Sequence, residues 1–235
     1  MSLIIRKSNK RGRANHGWLV SQHTFSFASY YDANWTGFSK LRVLNEDVVA
    51  PNQGFGMHRH QDMEIITYVL KGELSHKDSL GNQSLMRAGE VLRMSAGTGI
   101  EHSEFNASDS NPVHFLQIWI EPNALDVMPS YEDKMFTDAQ KSNQWCLLAS
   151  PDSQQGSLKI HQNMALYATK LTERKALSYA LKKGRSAYVH LVAGAAQING
   201  KRLATGDGAI VDDGTSIEIT ASHAVELLLF DLPTL

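Results

Sequence analysis

Two short runs in the chain carry residues that could hold a metal ion. In M-H-R-H-Q-D-M-E (Met57–Glu64), His58 and His60 are separated by one residue. On a strand, side chains at i and i+2 share a face, so both imidazoles would point the same way. Further on, E-H-S-E repeats that spacing with His102 and Glu104, and Gly97 and Gly99 allow a tight turn just before it. One such pair arises readily by chance on a surface. Two pairs of ligand types argue for one shared site, provided their strands are neighbours inside a barrel. Glu64 is a rival ligand, because it has the inward parity if the strand continues regularly through Gln61–Met63. The candidates are therefore His58, His60, Glu64, His102 and Glu104.

Three imidazoles and a carboxylate leave open positions on a six-coordinate ion. Closed structural zinc sites are usually rich in cysteine, and the chain has one cysteine. Nitrogen and oxygen ligands with vacant positions suit Fe(II), Mn(II), Ni(II), Cu(II) or Zn(II), and follow the logic of non-haem iron oxygenases. The other histidines show no paired spacing. His76, beside Lys77 and Asp78, reads as solvent-facing. His114 reads as a core histidine, and His16 and His23 flank G-W-L-V-S-Q in an aromatic-rich entry segment. His161, His190 and His223 stand alone. Phe55 and Met57 are candidate apolar walls for a pocket beside the histidines.

The elements that must position these residues are strands. Short alternating runs such as E-I-I-T-Y-V-L-K-G-E-L and V-H-F-L-Q-I-W-I recur along the chain, separated by Gly, Asn and Asp. They predict an all-β sandwich or barrel. Ser79–Gln83 and Ile198–Lys201 read as tight hairpin turns. One short helix is expected around Thr137–Lys141. A faint internal repeat pairs Y-V-L-K-G-E-L with V-H-L-V-A-G-A-A-Q-I, each followed by a turn and a glycine-flanked apolar strand. It predicts two barrels of similar build, residues 1–130 and 131–235, with a connector in 122–150 and the chain ends free to cross over.

The chain has 235 residues, 42% apolar and 20% charged, with a net charge of -1. That composition is ordinary for a globular protein and gives no overall basic field for nucleic acid. The basic stretch Arg6–Arg13 reads as a solvated edge or turn, and Cys146, in an apolar run, as a buried structural thiol. No apolar run approaches the roughly 20 residues that span a bilayer, and the start lacks a signal-peptide core. A soluble cytoplasmic monomer without membrane or direct nucleic-acid contacts is the expectation.

These residues resemble the cupin superfamily. H-R-H-Q-D-M-E matches its first motif, with Gly72 one residue late. Gly89–Gly97 and Asn106 follow the second motif, with Ser95 where proline is expected and a longer gap before His102. The departures match a narrower family. The runs H-T-F-S-F-A-S-Y-Y-D, G-F-G-M-H-R-H-Q-D-M-E, M-S-A-G-T-G-I-E-H-S-E and L-L-L-F-D-L-P resemble bacterial pirins, which are bicupins. The resemblance implies two jelly-roll barrels, with a metal motif in the first only. It implies His58, His60, His102 and Glu104 as metal ligands, and makes Glu64 a second-shell group that orients a histidine. The implied cofactor is one divalent ion, Fe(II) first, with Zn, Mn, Ni, Co or Cu as alternatives. The implied activity is that of a quercetin 2,3-dioxygenase acting on a flavonol and O₂, with Glu104 as general base. The alternative is a non-enzymatic metal- or redox-sensing regulator that binds another protein.

Overall fold

The computed structural model describes residues 3–212 and 216–234. Twenty-two strands account for most of it. They are β1 (Leu3–Arg6), β2 (Gly12–Asn15), β3 (Leu19–His23), β4 (Leu41–Val49), β5 (Gly54–His60), β6 (Glu64–Lys71), β7 (Glu73–Asp78) and β8 (Gln83–Arg87). Next come β9 (Glu90–Ser95), β10 (Ile100–Asn106), β11 (Val113–Ile120) and β12 (Ser130–Met135). After the short helix α1 (Asp138–Lys141) follow β13 (Cys146–Ser150), β14 (Leu158–Lys159), β15 (Ala165–Leu171), β16 (Ala176–Ala180) and β17 (Arg185–Ala193). The last are β18 (Ala195–Ile198), β19 (Lys201–Ala204), β20 (Gly208–Val211), β21 (Ser216–Ala221) and β22 (Val225–Pro233). Among the described residues no helix is long and apolar enough to cross a membrane.

The chain divides into two compact units. One comprises Gly12–Met135 with Ile160–Gln162, and the rest of the described chain forms the other. β12, whose first residue is Ser130, belongs to the first unit and pairs with β9. β1 belongs to the second unit, where it pairs with β20.

Each unit is a jelly roll of one seven-stranded and one four-stranded sheet. The first has the orders β12-β9-β6-β11-β4-β3-β2 and β5-β10-β7-β8. The second has β1-β20-β17-β22-β15-β13-β14 and β16-β21-β18-β19. Alternation builds both interiors. In β21, Ile217, Ile219 and Ala221 are buried while the residues between them are exposed. In the second unit such positions form a filled aliphatic core around Val189, Leu191, Ile219, Leu227 and Leu229. In the first unit, Ile65, Leu92, Met94 and Phe115 form part of the core, and β10 puts Ile100, His102, Glu104 and Asn106 on buried positions.

The tight turns form as expected. Asn199 and Gly200 both take positive φ between β18 and β19, as a two-residue hairpin requires. Asp78 closes the other turn by accepting from the backbone N–H of Leu80 and Asn82 at 2.9 and 3.0 Å. Thr137 caps α1 in a reciprocal capping box with Gln140. Cys146 is buried and free. The basic stretch departs from the expected solvated edge: Arg6 and Arg11 are buried. Arg6 is buried at the end of β1 although Ile4, which shares its parity, is exposed, and Lys7 pairs with the mostly buried carboxylate of Asp207 at 2.8 Å.

Candidate metal centre

β5 and β10 are antiparallel neighbours, and their register sets His102 directly opposite His58. Because His60 shares the face of His58, three imidazoles meet between the two strands. Their ring centroids are 4.4 Å apart for His58–His102, 4.8 Å for His58–His60 and 4.9 Å for His60–His102. One ligand nitrogen from each lies within 4.8 Å of the others. The Nδ1 of His58 donates to the carbonyl of Gly56 at 2.8 Å, which leaves its Nε2 as the lone-pair atom.

β10 also pairs with β7, where His76 stands opposite Glu104 and Asp78 opposite His102. His76, His102 and Glu104 form a second metal-compatible group, so His102 belongs to both. A register shift between His102 and Glu104 sets Glu104 against Phe55 of β5. Glu104 is buried. Its Oε1 accepts from the Thr67 hydroxyl at 3.0 Å and its Oε2 from the Gln117 amide at 2.8 Å.

Electrostatics keep His60 and His102 neutral. Burial lowers the pKa of His102 to about 2, with His58, His60 and His76 opposing a further positive charge. Burial lowers that of His60 to about 4, with His58 adding to it. Neutral imidazole is the metal-binding form. Burial pushes the Glu104 carboxyl up, partly offset by His76 and by the bonds from Thr67 and Gln117. Nε2 of His60 and both ring nitrogens of His102 are buried without a hydrogen-bond partner. Buried polar atoms left this way are uncommon outside functional sites. A divalent cation would satisfy them, and Glu104 would offset its charge, so the donor set fits such an ion.

The cluster opens on a cavity of about 550 Å³ whose wall includes Trp18, Phe27, Phe55 and Trp119. Trp119 stands edge-on to His60 at 5.0 Å. His16, His23, Asn45, Asp47 and Gln117 also line it.

Four expectations need correction. Glu64 does not orient a histidine of the cluster. It opens β6, which belongs to the seven-stranded sheet, whereas β5 ends the four-stranded one. Asp62 takes positive φ in the intervening loop, and Glu64 bonds instead to Ser95 at 3.0 Å and to Nδ1 of His161 at 3.2 Å. His76 is buried rather than solvent-facing, because the inward parity of β7 runs through Leu74, His76 and Asp78. Met57 is half-exposed and does not line the cavity, whereas Phe55 does. His114 is partly exposed and paired with Glu46 at 3.0 Å, so it is not the core histidine expected. Asn45, Asp47, Thr67, Gln117 and Trp119 were missed, although strand parity alone aligns Asn45 with Asp47.

A family model described as Pirin matches residues 5–120. A second, described as the quercetinase C-terminal cupin domain, matches residues 147–232. The chain is 49% identical over 231 residues to quercetin 2,3-dioxygenase of Escherichia coli (strain K12), covering 98% of this chain and 99% of that one. It is 44% identical over 231 residues to a pirin-like protein of Caulobacter vibrioides, covering 97% of this chain and 99% of the other. The crystal structure of the E. coli bacterial pirin YhhW in complex with nickel(II) matches at a TM-score of 0.95 and 47% identity, covering 100% of both chains. On this evidence the chain, two cupin jelly rolls with a histidine cluster in the first, belongs to the pirin family.

Proposed function

We propose that this protein is a metal-dependent dioxygenase of the quercetinase type, opening the ring of a flavonol such as quercetin with O₂. One observation carries the reading most: His58, His60 and the buried carboxyl group of Glu104 line an aromatic-walled cavity of about 550 Å³, and His102 completes a three-histidine group with the first two. That volume falls within the roughly 300–1,000 Å³ of small-molecule sites. The name of the E. coli relative, quercetin 2,3-dioxygenase, supports the substrate class, and the nickel(II) complex of YhhW supports a divalent ion.

His58, His60, His102 and Glu104 would hold the ion, with Fe(II) as the proposed native metal. When bound, the ion supplies Lewis acidity and open positions for a substrate hydroxyl and O₂. The chain's residues do the rest. Glu104, with its pKa raised by burial, accepts the proton of the substrate hydroxyl as general base. Thr67 and Gln117 fix its two oxygens. The rings of Trp18, Phe55 and Trp119 exclude water and offer faces and edges to a flat aromatic substrate.

The test is turnover. Protein stripped of metal and reloaded separately with Fe, Mn, Ni, Co or Cu is given quercetin under O₂, and quercetin loss, O₂ uptake and CO release are followed. Ring-opened product with at least one metal is expected. No product with any of the five would overturn the reading.

A further inference from the structure

The wall of the cavity carries a second polar feature that the metal cluster does not use. Asn45 and Asp47 alternate on β4, so their side chains share a face. Both are nearly fully buried, both line the cavity that His58, His60 and Glu104 also line, and Oδ1 of each has no hydrogen-bond partner. Ser21, directly across from Asp47 on β3, lines the cavity as well, and its hydroxyl bonds to the Asp47 carboxyl.

Two buried acceptor oxygens, unpaired and facing one cavity, form a place for hydrogen-bond donors. We propose that Asn45 and Asp47 are a specificity site that binds phenolic hydroxyl groups of the substrate other than the one taken to the metal cluster. The site selects a polyhydroxylated aromatic over its less hydroxylated analogue. The chemistry of the wall supports a neutral donor over a cation. The surrounding rings are aromatic, and burial pushes the Asp47 carboxyl up to about 7, with Glu104 and Glu46 adding to the effect. An acid so placed is protonated in a substantial fraction of molecules near neutral pH, and that neutral form can both accept from and donate to a hydroxyl. A cavity built this way penalises a ligand that leaves its buried oxygens unpaired.

This assignment rests on the flavonol reading, and its test separates the two. Quercetin and 3-hydroxyflavone, which keeps only the hydroxyl on the ring to be opened, are titrated into metal-free protein by fluorescence quenching. Turnover of both is then measured on metal-loaded protein. Wild type is expected to favour quercetin by at least about tenfold in Kd, the equivalent of one net hydrogen bond. The double variant Asn45→Ala/Asp47→Ala is expected to bind the two flavonols within about twofold of each other, with its metal content retained. Asp47→Asn and Asn45→Ser, which keep polar side chains, test the same ratio should the double variant not fold; each is expected to shrink it.

Three results would overturn the assignment. If both flavonols bind and react but the ratio is the same in wild type and variants, the specificity site falls while the dioxygenase reading stands. If wild type shows no preference for quercetin, the specificity site falls likewise. If neither flavonol binds or reacts, the dioxygenase reading falls and takes the site with it.

Discussion

His76 stands directly across the sheet from Glu104, and its ring lies 5.4 Å from that of His102. The chain thus offers two overlapping metal-compatible groups, His58–His60–His102 and His76–His102–Glu104. The first opens on the cavity, whereas His76 is stacked against Tyr131 at 4.8 Å and its Nε2 faces Asp78 at 3.4 Å. His76 therefore supports the site from behind. Replacing it with Phe keeps the ring stack on Tyr131 and removes the nitrogens. The expected result is one metal per chain, retained, with affinity lowered by no more than about 10–100-fold, the usual effect of a group behind the ligands. Metal content measured after dialysis against graded chelator checks this. Complete loss would mean that the second group is the metal site.

His102 belongs to both groups and is held neutral by burial and by its three neighbouring rings. His102→Ala is expected to abolish stoichiometric metal binding. Elemental analysis of protein purified without added metal provides the measurement, and full occupancy in the variant would show that the ligand set is misassigned.

The two carboxylates should separate cleanly. Glu104→Gln is expected to weaken metal binding strongly and to remove quercetin turnover. Glu64→Gln is expected to keep the metal, because the bonds of Glu64 run to Ser95 and His161. Its cost should instead appear as lost stability of about 1–3 kcal/mol, typical of a disrupted buried hydrogen bond. Chelator titration and urea melts of the two variants decide the matter; a metal-free Glu64→Gln protein beside a metal-bound Glu104→Gln protein would reverse the assignment.

These outcomes bear on what could be read before the fold was known. The i, i+2 spacing made the pairs His58/His60 and His102/Glu104 legible, since alternation on a strand is a local property. The adjacency of β5 and β10 is not local, and the loop after His60 shows why Glu64 misled: three residues suffice to carry the chain from one sheet to the other. His76 was hidden by its neighbours. Lys77 gave the strand a polar look, while parity with Leu74 was the better guide. Asn45 and Asp47 were hidden by chemistry, because buried polar side chains break the apolar pattern that marks an inward face. That pattern fails where a cavity replaces the core.

Gly97 controls how the chain enters β10. Its φ is +44°, and a Cβ there would lie 1.9 Å from the backbone carbonyl oxygen of Val127. Neither the left-handed backbone nor the backbone clash can be relieved by moving a side chain. Gly97→Ala is expected to destabilise the fold by more than about 2 kcal/mol and to lower metal affinity by displacing His102. Thermal melts and chelator titration measure both, and a variant with wild-type stability and affinity would show that the turn is not needed in this form.

Asp47 gives the last prediction, a dependence of stability on pH. Burial pushes its carboxyl up from 3.8 to about 7, so the folded chain holds this proton more tightly than the unfolded chain. The stabilisation from that proton is complete below the unfolded value and is lost as pH rises through about 7. Asp47→Asn has no such proton to lose. Relative to wild type, the variant is therefore expected to gain stability steadily between about pH 4 and pH 8, by a total on the order of 2–4 kcal/mol. Urea melts of metal-free protein across that range test it. A difference between the two proteins that stays constant with pH would show that the Asp47 carboxyl is ionised in the cavity at neutral pH, and would favour a cationic rather than a hydroxyl-bearing ligand on that wall.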